Sequence, residues 1–119
     1  MERISIQTAD GRDAYSPAEE LRGQVSWELE RPAQRIEVRL FWYTRGKGTT
    51  DVQVVKVQRF DAPTLRGNHE FRFALPEEPY SFSGKLISLV WALEAIAEPG
   101  ERSVRLELVV APGGNEVRV

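Results

Sequence analysis

Apolar and polar residues alternate along most of this chain, and no stretch of useful length keeps a helical three-to-four spacing, so the pattern predicts strands. Ile4 and Ile6 mark a short first strand over residues 3–8. Leu21, Gly23, Val25, Trp27 and Leu29 share one face, against Arg22, Gln24, Ser26 and Glu28 on the other, which predicts a half-buried strand. Ile36, Val38, Leu40 and Trp42 repeat the pattern, with an outer row that begins charged at Arg35, Glu37 and Arg39 and turns aromatic at Phe41 and Tyr43. That row predicts a strand exposed at its start and covered toward its end. Val52 and Val54 are out of phase with Val55 and Val57, and a β-bulge near Val54 and Val55 would keep both pairs facing inward. Phe71, Phe73 and Leu75 alternate with Glu70, Arg72 and Ala74. Val104, Leu106, Leu108 and Val110 point inward on a last long strand, and residues 116–119 form a tail or a short edge strand.

The segment from Leu75 to Leu93 organises the rest. Pro76 and Pro79 fix φ and remove backbone donors, so pairing must stop there. Tyr80 and Phe82 follow, then Gly84, where the chain can bend. Beyond Gly84 both alternating sets are apolar: Leu86, Val90 and Ala92 on one, Ile87, Leu89, Trp91 and Leu93 on the other. Such a strand is buried on both sides or waits for a partner. If Leu86 and Val90 face the core, Ile87, Leu89, Trp91 and Leu93 form an apolar face larger than monomers normally expose.

Turn residues separate these strands: residues 10–13, 15–19, 31–33, 45–51, 61–68, 98–101 and 111–115. Seven to eight strands so spaced predict an all-β, antiparallel, immunoglobulin-like sandwich. At 119 residues the chain suits one domain over 1–119, with a short tail from about 112, and no repeat or linker is visible.

Composition narrows the function classes. The chain has no cysteine, which excludes disulfides, thiolate metal sites and a cysteine nucleophile, and fits the reducing cytoplasm. Sixteen basic and 18 acidic residues are interspersed, so the basic stripe of a nucleic-acid binder is missing. The charged, alternating amino terminus is unlike a signal peptide, and the apolar run from Leu86 to Ala97 is too short to span a bilayer.

Three segments resemble arrestin-type amino-terminal domains, the sandwiches of arrestins, arrestin-domain-containing adaptors and retromer cargo subunits. Tyr15-Ser16-Pro17-Ala18-Glu19 leading into Leu21-Arg22-Gly23-Gln24-Val25 is similar to the family's Tyr-x-Pro-Gly-Glu loop and following Gly-x-Val. Residues 69–76 resemble its strand that closes in an aromatic, a Leu and a Pro. Tyr80-Ser81-Phe82-Ser83-Gly84, followed by Ile87 and Trp91-Ala92-Leu93, resembles its Pro-x-Ser-Phe-x-Gly loop and next strand. The likeness runs from residue 15 to 97 in the family's order. Ala18 stands where the family often has Gly, and one sandwich stands where arrestins pair two. The resemblance implies a non-catalytic scaffold or adaptor module without cofactors, working through protein contacts. A homodimer would supply the second sandwich in trans.

Candidate chemistry is sparse. His69 has no Cys or His companion, and Asp51, Asp61 and Glu94 form no pair whose environments would separate their pKa values. Ser81 and Ser83 lie in no nucleophile elbow, and residues 46–50 lack the Walker spacing and the following helix of a phosphate loop. The expected working surface is therefore an interface at Ile87, Leu89, Trp91, Leu93, Phe41 and Tyr43. The alternative is a small-ligand or carbohydrate platform using Phe41, Tyr43 and Trp91.

Overall fold

The computed structural model describes residues 2–48, 50–61, 63–99 and 102–119. Met1, Thr49 of the predicted hairpin loop, Ala62, and Gly100 and Glu101 of the predicted turn lie outside them. The strands are β1 (Arg3–Thr8), β2 (Ala14–Tyr15), β3 (Glu20–Glu28), β4 (Arg35–Gly46) and β5 (Val52–Asp61). They continue with β6 (Arg66–Ala74), β7 (Phe82–Ser83), β8 (Ile87–Glu98), β9 (Arg102–Val110) and β10 (Val117–Arg118). The only helical pieces among the described residues are two 3-10 turns, at Ala9–Gly11 and Pro112–Gly114. Among the described residues no helix is long and apolar enough to cross a membrane.

Two sheets face each other. One is β1-β3-β6; the other runs β2-β9-β8-β4-β5, with β7 continuing the β9 edge of β8 and β10 added beyond it. The seven long strands pair antiparallel throughout. The two-residue strands β2 and β10 pair parallel, with β9 and β7 respectively, which the alternating pattern could not indicate.

The core fills the space between the sheets. Leu21, Val25 and Trp27 of β3 and Phe71 and Phe73 of β6 meet Ile36, Val38 and Leu40 of β4, Leu89, Trp91 and Leu93 of β8, and Leu108 and Val110 of β9. Each such side chain contributes about 1.5–3 kcal/mol by burial. The inner rows expected for β3, β4, β6 and β9 face this core. Gly23 belongs to the same row, and the ring of its cross-strand neighbour Phe71 lies over it.

The three family-like segments converge on the connection between β6 and β7. Ala18 donates its amide to the Pro76 carbonyl at 3.3 Å, and Leu75 donates to the Glu19 carbonyl at 3.0 Å. Glu19 holds the turn closed by accepting from the Ser16 amide (2.9 Å) and from Arg12 (2.5 Å). Farther on, the Trp91 indole N–H donates to the Pro79 carbonyl at 2.9 Å. Ser81 is buried and bonds Val110 twice: its amide donates to the Val110 carbonyl at 2.7 Å, and its Oγ accepts from the Val110 amide at 2.9 Å. The proline-interrupted segment thus carries its polar groups into the interior fully bonded.

Ala18 sits at φ 65°, in the left-handed region that favours glycine. Ala18→Gly should therefore raise stability, by about 0.5–1 kcal/mol in urea denaturation, because Cβ strain in that region costs about 1–2 kcal/mol and glycine's added chain entropy returns part of it. Gly23→Ala should do the opposite. A Cβ there would stand 2.4 Å from both the Gln7 carbonyl oxygen and Phe71 Cζ, and the first of these is backbone. A loss of about 1–3 kcal/mol is expected, the usual cost of overpacking.

Candidate interaction surface

Trp91 and Leu93 are fully buried and Leu89 nearly so, all on the inner face of β8. This corrects the expected open face. β8 lies in register with β4 so that Trp91 stands opposite Trp42 and Leu93 opposite Leu40, both of the inner row. The set carrying Val90, Ala92, Glu94, Ile96 and Glu98 faces outward instead. A sequence signal existed: followed to its end, that set contains Glu94 and Glu98, whereas the other ends in Ala95 and Ala97. Of the six expected interface residues, Ile87 is partly exposed at the start of β8, and Phe41 and Tyr43 lie on the outer face of β4.

That outer face is built from paired aromatic and charged groups. Phe41 is only 3% exposed, because the Arg105 guanidinium of β9 sits 4.9 Å above its ring. Arg105 also lies 5.6 Å from the Tyr43 ring and bonds Glu94 at 3.2 Å. The Tyr43 hydroxyl donates to Glu107 at 2.6 Å, and Arg45 donates to both the Tyr43 hydroxyl (2.8 Å) and Glu107 (2.7 Å). With Trp91 in the core and Phe41 beneath an arginine, the expected sugar-stacking platform is not assembled.

Toward the other end of β4, Glu37 is buried, contrary to the expected exposed start. It accepts from Arg39 at 2.8 and 3.0 Å and from Arg59 of β5 at 2.9 Å, with Arg35 at 3.9 Å. Burial pushes the carboxyl up, but the hydrogen bonds from Arg59 and Arg39 and their charges more than offset it, and the group is held below its ordinary value.

β5 forms the margin of this face. The predicted bulge is present: Leu40 stands opposite Lys56 and Phe41 opposite Val54, leaving Val55 as the extra residue. Its effect differs from the expectation. Val52, Val54 and Val57 stand opposite Tyr43, Phe41 and Arg39, all on the outer face, while Val55 packs on the core. Val52 and Val54 are 60% and 42% exposed and belong to the surface, as the phase shift alone did not show. A second apolar area, a shallow hollow of about 300 Å³, is lined by Pro79, Tyr80, Phe82, Val117 and Val119.

His69 is exposed on β6, stacked on Phe60 with ring centroids 3.8 Å apart, and its Nδ1 meets the Glu70 carbonyl. Among the described residues no three His, Asp or Glu side chains gather where they could hold a metal ion.

Comparison with known proteins agrees with the fold. No family model matches the chain, and no curated protein matches it. The crystal structure of the sporulation control protein Spo0M from Bacillus subtilis superposes with a TM-score of 0.67 at 18% identity, covering 92% of this chain and 49% of that one. The chain therefore spans about half the length of that protein. The fold is an arrestin-like β-sandwich.

Removing the Glu37 charge should leave its arginines unbalanced. Glu37→Gln is expected to cost about 1–3 kcal/mol near neutral pH. Because the folded pKa is depressed, the carboxylate's contribution is complete above the unfolded value of about 4.3 and is lost as pH falls through the lower folded value. The gap between wild type and Glu37→Gln, measured by urea denaturation, should accordingly shrink on acidification below about pH 4.

Proposed function

We propose that this chain is a non-catalytic protein-contact module that works through the outer face of its larger sheet. The observation that carries the reading is the constellation of Phe41, Tyr43, Arg45, Arg105 and Glu107, bordered by exposed Val52 and Val54. Aromatic residues and arginines stacked together are what protein interfaces enrich, and a polar rim such as Glu94 and Glu107 supply commonly borders them. The arrestin-like fold supports a regulatory or adaptor role without reaction chemistry. A chain without cysteine suits the cytoplasm as its setting. A second copy is one partner such a face would take.

Arg105→Glu provides the test. It uncovers Phe41 and sets a carboxylate beside Glu94, at an expected cost of about 1–3 kcal/mol, so circular dichroism must show the variant folded. Arg22→Glu, on the opposite sheet, serves as the comparison. Proteins cross-linked to the immobilised wild-type chain should be lost with Arg105→Glu and retained with Arg22→Glu. Retention by both, with both variants folded by circular dichroism, would overturn the assignment of this face.

A further inference from the structure

Beyond the outer face, the side of β5 away from β4 has no partner strand among the described residues. Its backbone orientation follows from the first bonded residue. The Thr44 amide donates to the Asp51 carbonyl at 2.9 Å, and the Asp51 amide donates to Thr44 Oγ1 at 2.9 Å, so Asp51 faces β4. Antiparallel ladders alternate, so Val52 and Val54 turn their N–H and C=O groups away from β4. Gln53 reaches the Val54 carbonyl with its own side chain at 3.2 Å, and no other strand lies along this margin.

The neighbouring margin is treated differently. On β6, Lys56 Nζ donates to the Ala74 carbonyl and Gln58 Nε2 to the Arg72 carbonyl, both at 2.6 Å. Those side chains occupy acceptors that would otherwise template a foreign strand. On β5 the cover is slighter: the exposed Gln53 amide meets the Val54 carbonyl at 3.2 Å, a local contact that an incoming strand can displace, and Val52 and Val54 are among the exposed large apolar residues.

The geometry points to a second copy of this chain as the occupant: β5 of one copy pairs antiparallel with β5 of the other about a two-fold axis at Gln53. This rests on the reading that the chain works by protein contact, and names the partner. The axis sets Val52 against Val54 of the partner copy and Val54 against Val52 of the partner copy. Both pairs are β-branched, lie on one face and turn their main-chain groups away from β4, the Val54 carbonyl exchanging the Gln53 side-chain amide for the Val52 amide of the partner copy. The Val55 bulge then contributes specificity. Two residues share one position there, so Asp51 comes opposite the partner copy's Val55 and Lys56, and Asp51 and Lys56 share the inner phase. Two reciprocal carboxylate–ammonium contacts result, one at each end of the short pairing, each Lys56 keeping its bond to the Ala74 carbonyl and turning another of its three donors to the carboxylate. An arbitrary extended peptide could take the main-chain bonds but not both ion pairs. The symmetry is closed, so the assembly stops at two copies and joins two seven-stranded sheets into one.

The experiment measures the full chain by light scattering and by residue-resolved amide exchange across a concentration series. The Val52 and Val54 amides should gain protection together with the rise in mass. Asp51→Lys and Lys56→Asp should each weaken association by about tenfold, and the double exchange should recover it. Val54→Pro should abolish association, while its fold survives because the amide it removes makes no ladder bond. Recovery in the double exchange separates a lost contact from a lost fold. Association with Val52 and Val54 still exchanging freely, or indifferent to Val54→Pro, would overturn the β5 pairing while leaving the outer-face reading to its own test. A monomer at every concentration overturns it too, and partners lost with Arg105→Glu would still uphold the contact module.

Discussion

The pairing of β4 with β8 is the constraint from which the rest of the structure follows. Both strands are twelve residues long, and they run antiparallel with unbroken register from Arg35 opposite Glu98 to Gly46 opposite Ile87. On the inner face this sets Ile36 against Ala97, Val38 against Ala95, Leu40 against Leu93 and Trp42 against Trp91. Large residues meet small ones at one end and large ones at the other, and Trp27, Phe71 and Phe73 of β3 and β6 complete the same core from the facing sheet. β9 then adds Leu108 opposite Trp91 and Leu106 opposite Leu93, extending the same row.

Fixing the inner row fixes the outer one, because a strand's side chains alternate with period two. Phe41 and Tyr43 are outward because Leu40 and Trp42 are inward, and Arg105 and Glu107 arrive beside them by the register of β9. The same alternation places Glu37 on the outer face, where only the combined reach of Arg39 and Arg59 makes its burial tolerable. The charged and aromatic surface is thus a consequence of core packing carried through the backbone.

The margins of the sandwich show two solutions to one problem. A β-strand at an edge leaves main-chain groups without partners. On β6 they are met by side chains crossing from β5, and the crossing closes that side of the sandwich. On β5 the bulge at Val55 bends the ladder and divides the strand, with polar reach toward β6 after it and exposed valines before it. Beside β8, β7 adds a short antiparallel step and β10 a parallel one, and together they close a third margin where Tyr80, Phe82, Val117 and Val119 reach the surface.

Much of this was legible in the sequence. The sandwich, the inner rows of β3, β4, β6 and β9, the bulge and the proline-interrupted connection all follow from period-two patterning and turn chemistry. These are local properties, set by which side of a strand each residue occupies. The glycine preference at the position of Ala18 was legible through the family resemblance, and the φ of 65° gives its physical cause. Which face of β8 is buried was not legible locally, because both of its sets begin apolar. Only its register against β4 and β9 chose Trp91 over Val90. The outward turn of Val52 and Val54 and the covering of Phe41 by Arg105 were decided in the same way, by strands far apart in sequence meeting in space. Alternation determines that a strand has two sides; tertiary packing decides which of two similar sides meets water.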